Sequence, residues 1–378
     1  MGIFRFRLVC LLLVGVVHGS VSFLGRRQGD SCAGRCDTVG DDPDWPCQCN
    51  QPCVDFGDCC EDYEEVCLSC SDRCGIDYNS LFPCQCNDEC PTHGNCCDDF
   101  DLHCEGSTGT ITDEDLRALS EALLEMDINN VGGLVTVDLQ GQTSSGGGDE
   151  APDPLFVGEL SDEVLSVETI ALLVALFDNY EPFTTDQEDV TPEEEEEVDA
   201  FLDAVIATDV MQSAYQFLLE KDAIQDDEAA FKVRLTEMWF DMYPRDGSSP
   251  GSSGFEHVFM GELRSSGVTG FHGWLYFYMQ EQEERMDYYG YMTYRDLGDK
   301  GIILENSFVW DGKRKPISSI YIGASPELEM ALLTVCYIAR PDSLCPIDLA
   351  GESLHVQTYV EPYDGANHVG TAYFDISS

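Results

Sequence analysis

Beyond residue 110, apolar residues are first spaced as in amphipathic helices and later as in strands. A helix is predicted to begin after Thr112, where Asp115 completes an N-cap signal, because apolar residues then recur every three or four positions. A second helix is predicted to begin at Thr191-Pro192, with a run of glutamates in its first turn. Other helices are predicted at Leu160–Tyr180, Val210–Lys221, Phe231–Tyr243 and Glu327–Ala339.

After Pro244 the chain becomes richer in aromatic and β-branched residues, which favour strands. Strands are predicted at Val258–Phe259, Ile302–Leu304, Phe308–Trp310, Ile320–Ile322, Leu354–Val360 and Thr371–Ile376. Residues 111–378 are therefore predicted to form one α+β domain, with a helical N-terminal part and a C-terminal part rich in antiparallel sheet. Within it, Cys336 and Cys345 are expected to form a disulfide, with two buried thiols as the alternative.

The first 22 residues have the pattern of a secretory signal peptide. Arg5 and Arg7 precede a short apolar run, and the small residues Ser20 and Ser22 follow it. A membrane anchor is the alternative, but a helix needs about 20 apolar residues to span a bilayer, and this run is shorter. Residues 1–22 are thus predicted to be a signal peptide, and the mature protein to be secreted without a membrane span.

Sixteen of the 19 cysteines form two groups of eight. Each group has seven spacings between successive cysteines. Six of them are identical in the two groups and one differs by a single residue, so the region is a tandem duplication. Modules this small rarely fold on a hydrophobic core alone, and four disulfides in each are expected; zinc binding is the alternative. Their connectivity stays open. The cysteines of module 1 (28–68) are Cys32, Cys36, Cys47, Cys49, Cys53, Cys59, Cys60 and Cys67, and those of module 2 (69–106) are Cys70, Cys74, Cys84, Cys86, Cys90, Cys96, Cys97 and Cys104.

The chain is strongly acidic, with 72 Asp and Glu against 19 Lys and Arg and a formal charge of −53. Phosphate contacts supply much of the affinity in non-specific nucleic-acid binding, so broad binding of DNA or RNA is not expected, nor is binding to an anionic membrane. The glutamate run Glu193–Glu197 is expected to be a solvated helix face, with a metal site as the less favoured alternative.

Candidate chemistry is concentrated on two histidines in glycine-rich settings, His257 and His272. An imidazole pair can act as general base and general acid near neutral pH, and Glu256 or Glu262 could orient one ring. The basic cluster that contains Lys315 would suit stabilisation of a phosphorane-like transition state. Two structural histidines are the alternative that the pattern alone leaves open.

Several stretches of residues 111–378 resemble the EndoU (XendoU) family of uridylate-specific endoribonucleases, and both cysteine modules resemble somatomedin B domains. The stretches include SGFEHVFMGE at 253–262, GVTGFHGWL at 267–275, WDGKRKPISS at 310–319 and GTAY at 370–373; the modules share the PCQC sequence at 46–49 and 83–86. The resemblance implies that His257, His272 and Lys315 are catalytic, and that Glu256 and Glu262 support them. It further implies that Ser319, Thr371 and Tyr373 contact the substrate. Lys313-Arg314 departs from the family pattern, where aromatic residues are common.

The resemblance implies cleavage of single-stranded, U-rich RNA at uridines by attack of a ribose 2′-OH, leaving a 2′,3′-cyclic phosphate and a 5′-OH. It implies dependence on Mn²⁺, or on Ca²⁺, although no ligand spacing specifies a metal site. The modules would bind an extracellular protein partner, with Asp55, Phe56, Asp58, Tyr63, Asp98, Asp99 and Phe100 as candidate contacts or mere spacers. A monomer is favoured. A secreted adaptor with an inactive EndoU domain and an acidic cation-binding protein are the competing functions.

Overall fold

The structure is a computed structural model. It consists of two compact units, residues 1–107 and residues 108–378. The described residues are 32, 36, 46–50, 52–60, 62–70, 78, 82–87, 90–97, 100, 110–185, 190–224, 228–245 and 250–376. The predicted signal peptide, Cys74, Cys104 and the candidate partner contacts Asp98 and Asp99 lie outside the described residues.

Disulfides of matching connectivity hold the two modules of the first unit. Module 1 pairs Cys32–Cys49, Cys36–Cys67, Cys47–Cys60 and Cys53–Cys59. Module 2 repeats three of these pairs as Cys70–Cys86, Cys84–Cys97 and Cys90–Cys96. Paired cysteines supply most of the buried side chains in each module, which confirms the expected disulfide scaffold and decides the connectivity that spacing left open.

Only short helices occur in the described part of the modules: α1 (Cys53–Phe56), α2 (Tyr63–Cys67) and α3 (Cys90–His93). The Phe56 side chain is 74% exposed and remains available to a partner, whereas Tyr63 and Phe100 are only 2% and 5% exposed. The prediction that Tyr63 and Phe100 line a docking surface is therefore wrong. Both rings pack against disulfides and complete the small cores.

The helical part of the second unit comprises α4 (Asp113–Met126), α5 (Asp162–Leu165), α6 (Glu168–Ala175), α7 (Pro192–Ile206), α8 (Asp209–Glu220) and α9 (Glu228–Trp239). Capping boxes begin α4 and α7, where Thr112 pairs with Asp115 and Thr191 with Glu194. The single helix predicted over Leu160–Tyr180 is wrong. Its chain turns at Val167, which has extended backbone angles, and continues from α5 into α6 and a 3₁₀ turn.

Three antiparallel sheets form the C-terminal part, and this confirms the α+β class. A ribbon joins β1 (Glu262–Arg264) to β2 (Gly267–Thr269). One three-stranded sheet contains β3 (Met286–Asp296), β4 (Ile302–Trp310) and β5 (Lys313–Ile322); the other contains β6 (Leu344–Leu349), β7 (Glu352–Tyr363) and β8 (Ala366–Asp375). Two further helices are α10 (Trp274–Gln282) and α11 (Pro326–Ala339).

One continuous hydrophobic core packs these sheets against the helices. Trp239, Trp274 and Trp310 are buried in it, and each indole N–H donates a hydrogen bond, so that no polar group of these rings is left unsatisfied. Helix α11 is buried along most of its length, and the Cys336–Cys345 disulfide joins it to β6 as expected.

The strand predicted at Val258–Phe259 is wrong, because Glu256–Met260 form a π-helical turn. The residues themselves favour strands, but packing decides the conformation: the Phe255 and Phe259 rings stack 5.2 Å apart inside the core. Among the described residues, no helix combines the length and apolarity needed to cross a membrane.

Replacing Cys336 and Cys345 together by alanine should lower the free energy of unfolding of this unit by about 2–3 kcal/mol, because the open chain gains conformational entropy when unfolded. Guanidinium denaturation followed by tryptophan fluorescence measures the change. The double variant isolates this bridge, whereas a reductant would also open the module disulfides. A denaturation midpoint equal to that of the wild-type protein would contradict the expectation.

Candidate active site

Two short segments that carry His257 and His272 are joined by backbone hydrogen bonds. The amide of Phe271 donates to the carbonyl of His257 at 2.8 Å, and the amide of His272 donates to the carbonyl of Val258 at 2.6 Å. Gly270 is required for this approach, because a Cβ there would lie 1.9 Å from the His257 carbonyl oxygen, and its φ is +63°. The fold thus fixes the two imidazoles relative to each other through their main chains.

His257 is held from behind by a buried carboxylate. Its Nδ1 lies 2.5 Å from Oε2 of Glu262, a fully buried side chain, and Nε of Arg245 lies 3.1 Å from the same oxygen. A carboxylate can only accept, so Nδ1 carries the proton and Nε2 keeps a lone pair. Arg245 also donates to the carbonyl of Gly370 at 2.8 Å and to the hydroxyl of Tyr243.

His272 has the same proton arrangement with a neutral partner. Its Nδ1 lies 2.9 Å from the carbonyl oxygen of Ser319, and the Ser318 hydroxyl lies 3.4 Å from the same nitrogen. Since a carbonyl can only accept, Nδ1 donates and Nε2 is again the free acceptor. The Tyr373 ring stacks on the imidazole at 5.1 Å between centroids and fixes its plane.

Most of the predicted site residues line one cleft with a volume of about 460 Å³. It is lined by His257, His272, Lys315, Ser319, Thr371 and Tyr373, and also by Thr269, Gly270, Glu305, Ile317, Ser318, Phe374 and Asp375. Strand β5 supplies Lys315 and Ser319, and β8 supplies Thr371 and Tyr373. Of the two supporting glutamates, Glu262 lies behind His257, while Glu256 is buried in the π-helical turn and does not line the cleft.

Burial and local charge set the protonation of these groups. Burial lowers the pKa of His257 to about 4, helped by Arg245 and opposed by Glu262. The pKa of His272 also lies well below its ordinary value, through burial and the charge of Lys315. Burial lowers the pKa of Lys315 to about 8. The free protein near neutral pH therefore holds two neutral imidazoles beside an ammonium group.

Four site residues were not predicted from the sequence. Arg245 and Ser318 position the histidines, and Glu305 and Asp375 make one wall of the cleft acidic. No local spacing links Arg245 to Glu262, because only the fold brings these two residues together. The sequence offers one signal for Ser318, namely its place beside Ser319 in a strand that also carries Lys315.

The described part of the chain contains no cluster of three or more free ligand groups for the implied Mn²⁺ or Ca²⁺. The groups there that bring three or more potential ligand atoms together are two sets of cysteines, Cys32 with Cys49 and Cys60, and Cys70 with Cys86 and Cys97. All six form disulfides and cannot act as thiolate ligands. We therefore assign no chemical step to a metal ion.

In an NMR titration of the full chain, the His257 imidazole should titrate near pH 4, and Glu262→Gln should lower its pKa further, because the carboxylate charge favours the imidazolium. The resonance is assigned by its loss in His257→Gln, and an unchanged amide spectrum controls for folding. A pKa of His257 that is equal or higher in Glu262→Gln would contradict this account of the pair.

Comparison with known proteins places both units in families. The family model described as Endoribonuclease XendoU matches residues 115–374, and the Somatomedin B domain model matches residues 30–69 and 68–107. The solved structure of XendoU, described as a splicing-independent snoRNA-processing endoribonuclease, has a TM-score of 0.58 at 34% identity. It covers 70% of this chain and 97% of that one.

Relatives named uridylate-specific endoribonuclease match along almost the whole chain. The protein from Bos taurus is 34% identical, covering 96% of this chain and 98% of its own, and the protein from Homo sapiens is 33% identical with the same coverage. That from Paralichthys olivaceus is 38% identical over 87% of this chain and 89% of its own. The chain therefore belongs to the XendoU endoribonuclease family, with two somatomedin B domains ahead of its XendoU domain.

Proposed function

We propose that the chain is a secreted endoribonuclease that cleaves single-stranded RNA at uridines. The observation that carries this proposal is the cleft in which two imidazoles, each with Nδ1 engaged and Nε2 free, lie beside the ammonium of Lys315. The names of the relatives supply the uridylate preference. Eight disulfides in the described residues suit an oxidising compartment, and with the signal-like N-terminus they support secretion.

The reaction we propose is an in-line transesterification. Nε2 of His272 takes the proton of the ribose 2′-OH, and the 2′-oxygen forms a bond to the adjacent phosphorus. The bond from phosphorus to the 5′-oxygen breaks as a protonated His257 gives that oxygen its proton. The products are a 2′,3′-cyclic phosphate and a 5′-OH, and Lys315 stabilises the charge on the non-bridging oxygens. DNA lacks the nucleophile and is not cleaved.

The partners of the two rings support these separate roles. His257 faces the ionised carboxylate of Glu262, which stabilises an imidazolium, so it is the better proton donor once the anionic phosphate raises its low pKa. His272 faces only neutral groups at Nδ1 and stays neutral, which a general base requires. This arrangement supports the proposed assignment of acid and base, which spacing left open.

Uracil recognition is proposed at the end of the cleft formed by Ser319, Thr371 and Tyr373. The Ser319 hydroxyl oxygen is buried and has no hydrogen-bond partner among the described residues, so it can bond to a base edge at no cost in existing bonds. Tyr373 stacks on the His272 ring, which places any base held there next to the proposed general base.

We propose that Mn²⁺, or Ca²⁺, assists by screening repulsion between RNA and an acidic protein rather than by occupying a site built by the described residues. Because the chain has a formal charge of −53, it repels RNA, and such screening would strengthen RNA binding. The second candidate function is a secreted adaptor that binds a protein through the somatomedin B domains, for which the exposed Phe56 is the supporting observation. The joint placement of His257, His272 and Lys315 favours the enzyme.

The oxidised mature protein should cleave a U-rich oligoribonucleotide at uridines and leave cyclic phosphate ends. His257→Ala and His272→Ala should each lower kcat/KM by about 10²- to 10⁴-fold, because each removes one proton-transfer group. Product ends are analysed by mass spectrometry, and Lys221→Gln, a charge change outside the cleft, is the matched control.

Retention of full cleavage in both histidine variants would overturn the mechanism, and absence of cleavage with any divalent ion would favour the adaptor. The same assay tests the ion. EDTA should abolish cleavage, and Mn²⁺ or Ca²⁺ should restore it, whereas full activity in EDTA would remove the ion from the proposal.

The fall of kcat/KM with pH should become steeper as the pH rises through about 8, because Lys315, whose pKa burial lowers to about 8, loses its positive charge there. The shallower fall at lower pH is due to His257, whose pKa of about 4 makes its protonated form scarcer as the pH rises. In Lys315→Arg the guanidinium stays protonated across this range, so kcat/KM should start lower and show no steepening near pH 8. A steepening at the same pH in this variant would show that another group titrates.

A further inference from the structure

Strand β5 presents a second ammonium group on the face that carries the catalytic one. In the β4–β5 register Lys313 is opposite Trp310 and Lys315 is opposite Phe308, so the two lysines alternate onto the same side of the strand. The rings of Trp310 and Phe308 each lie 5.0 Å from the ring of Phe271, the residue before His272. Lys313 thus lies about 7 Å along the strand from Lys315, just beyond the residues that line the cleft.

The charge of Lys313 is not neutralised by the described part of the chain. Neither Lys313 nor Lys315 forms an ion pair or hydrogen bond there through its ammonium group. Other cations of this unit do lie against carboxylates, such as Lys221 at 2.8 Å from Asp115. Lys313 and Lys315 differ from Lys221 in having no carboxylate within ion-pair distance among the described residues.

The nearest acid in sequence is also unavailable to Lys313. Asp311 precedes it in the tight turn between β4 and β5, and both of its carboxylate oxygens are bound by Arg285, at 3.1 and 2.5 Å. The turn conformation, with φ of +48° at Asp311 and +73° at Gly312, fixes where β5 begins and so the side on which Lys313 emerges. The local structure keeps the charge of Lys313 free for an external anion.

Arg314 points away from this face and is occupied. Its guanidinium lies 5.1 Å from the centre of the Tyr289 ring and donates to the Ser307 hydroxyl at 3.3 Å. The Ser307 hydroxyl donates in turn to the carbonyl of Lys315 at 3.0 Å. Arg314 therefore stabilises the strand, and Lys313 is the member of the basic cluster that remains open to substrate.

We propose that Lys313 binds a backbone phosphate of the RNA that neighbours the scissile phosphate. This rests on the proposed function, in which Lys315 and the two imidazoles hold the scissile group. A chain of this net charge repels the rest of a polyanion, so one additional ammonium on the edge of the cleft provides the contact that extends binding beyond a dinucleotide. The substrate is accordingly an oligonucleotide with at least one flanking phosphate.

The test compares Lys313→Gln with wild type on a uridine dinucleotide, which has one phosphodiester, and on a heptanucleotide with a single uridine. The ratio of kcat/KM for the heptanucleotide to that for the dinucleotide should fall about five-fold at low salt, the size expected for loss of one exposed ionic contact. Lys313→Arg should restore the ratio. Lys221→Gln, a matched charge change paired with Asp115 elsewhere in the unit, should leave it at the wild-type value.

Binding provides a second readout that does not depend on catalysis. A heptanucleotide with 2′-deoxyuridine at the scissile position lacks the nucleophile, so its Kd can be measured at several salt concentrations. The slope of log Kd against log salt should decrease by about 0.7 in Lys313→Gln, the value for one phosphate contact to a single strand.

An equal loss on both substrates would assign Lys313 to the scissile group or to folding and overturn the proposal. An unchanged ratio with an unchanged salt slope would overturn it as well. Failure of the wild-type protein to cleave the heptanucleotide would instead refute the proposed function, so the two failures are distinguishable.

Discussion

The candidate site depends on the buried carboxylate of Glu262. An ionised group with no exposed surface is stable only if its charge is met, and here Arg245 and His257 meet it at one oxygen. Arg245 also bonds to the Gly370 carbonyl, so the same cation joins the loop before the π-helical turn to strand β8. Arg245, which neutralises Glu262, thereby fixes the position of the π-helical turn relative to the strand that carries Thr371 and Tyr373.

Backbone hydrogen bonds then fix the position of the second histidine, His272, relative to the first. The Phe271 and His272 amides bond to the His257 and Val258 carbonyls, and the His272 ring is fixed by the Ser319 carbonyl of β5. Phe271 has a φ of +71°, a left-handed conformation that costs energy for a residue with a Cβ. Its ring packs against Phe308 and Trp310, and this burial offsets the strain.

The features that sequence could predict are those with local causes. Thr112 and Asp115 form a cap because they are three residues apart, and the duplicated cysteines staple two modules because their spacing repeats. The π-helical turn at Val258 was mistaken for a strand because packing of its neighbours Phe255 and Phe259 against the distant rings of Phe201 and Trp239 overrides local preference there. Arg245 was missed for the same reason, since its partners are assembled by the fold and not by spacing. The predicted site residues, Glu262 among them, carried a family pattern, whereas Arg245, which also lowers the pKa of His257, did not.

The acidity of the chain argues against broad nucleic-acid binding and, in the proposed function, restricts RNA binding to one site. Most cations of the catalytic unit are consumed by neighbouring carboxylates, as with Arg117 and Asp348 or Arg340 and Asp113. In the proposed function, attraction for RNA comes from the cleft, where burial keeps the imidazoles neutral and leaves Lys315 as the main positive charge among the lining residues. In the proposed mechanism, a bound phosphate adds negative charge beside His257 and so raises the pKa of this imidazole only when substrate is present. Proton donation by His257 would in this way be coupled to substrate binding, because the phosphate that is to be cleaved also favours the imidazolium that protonates its leaving group.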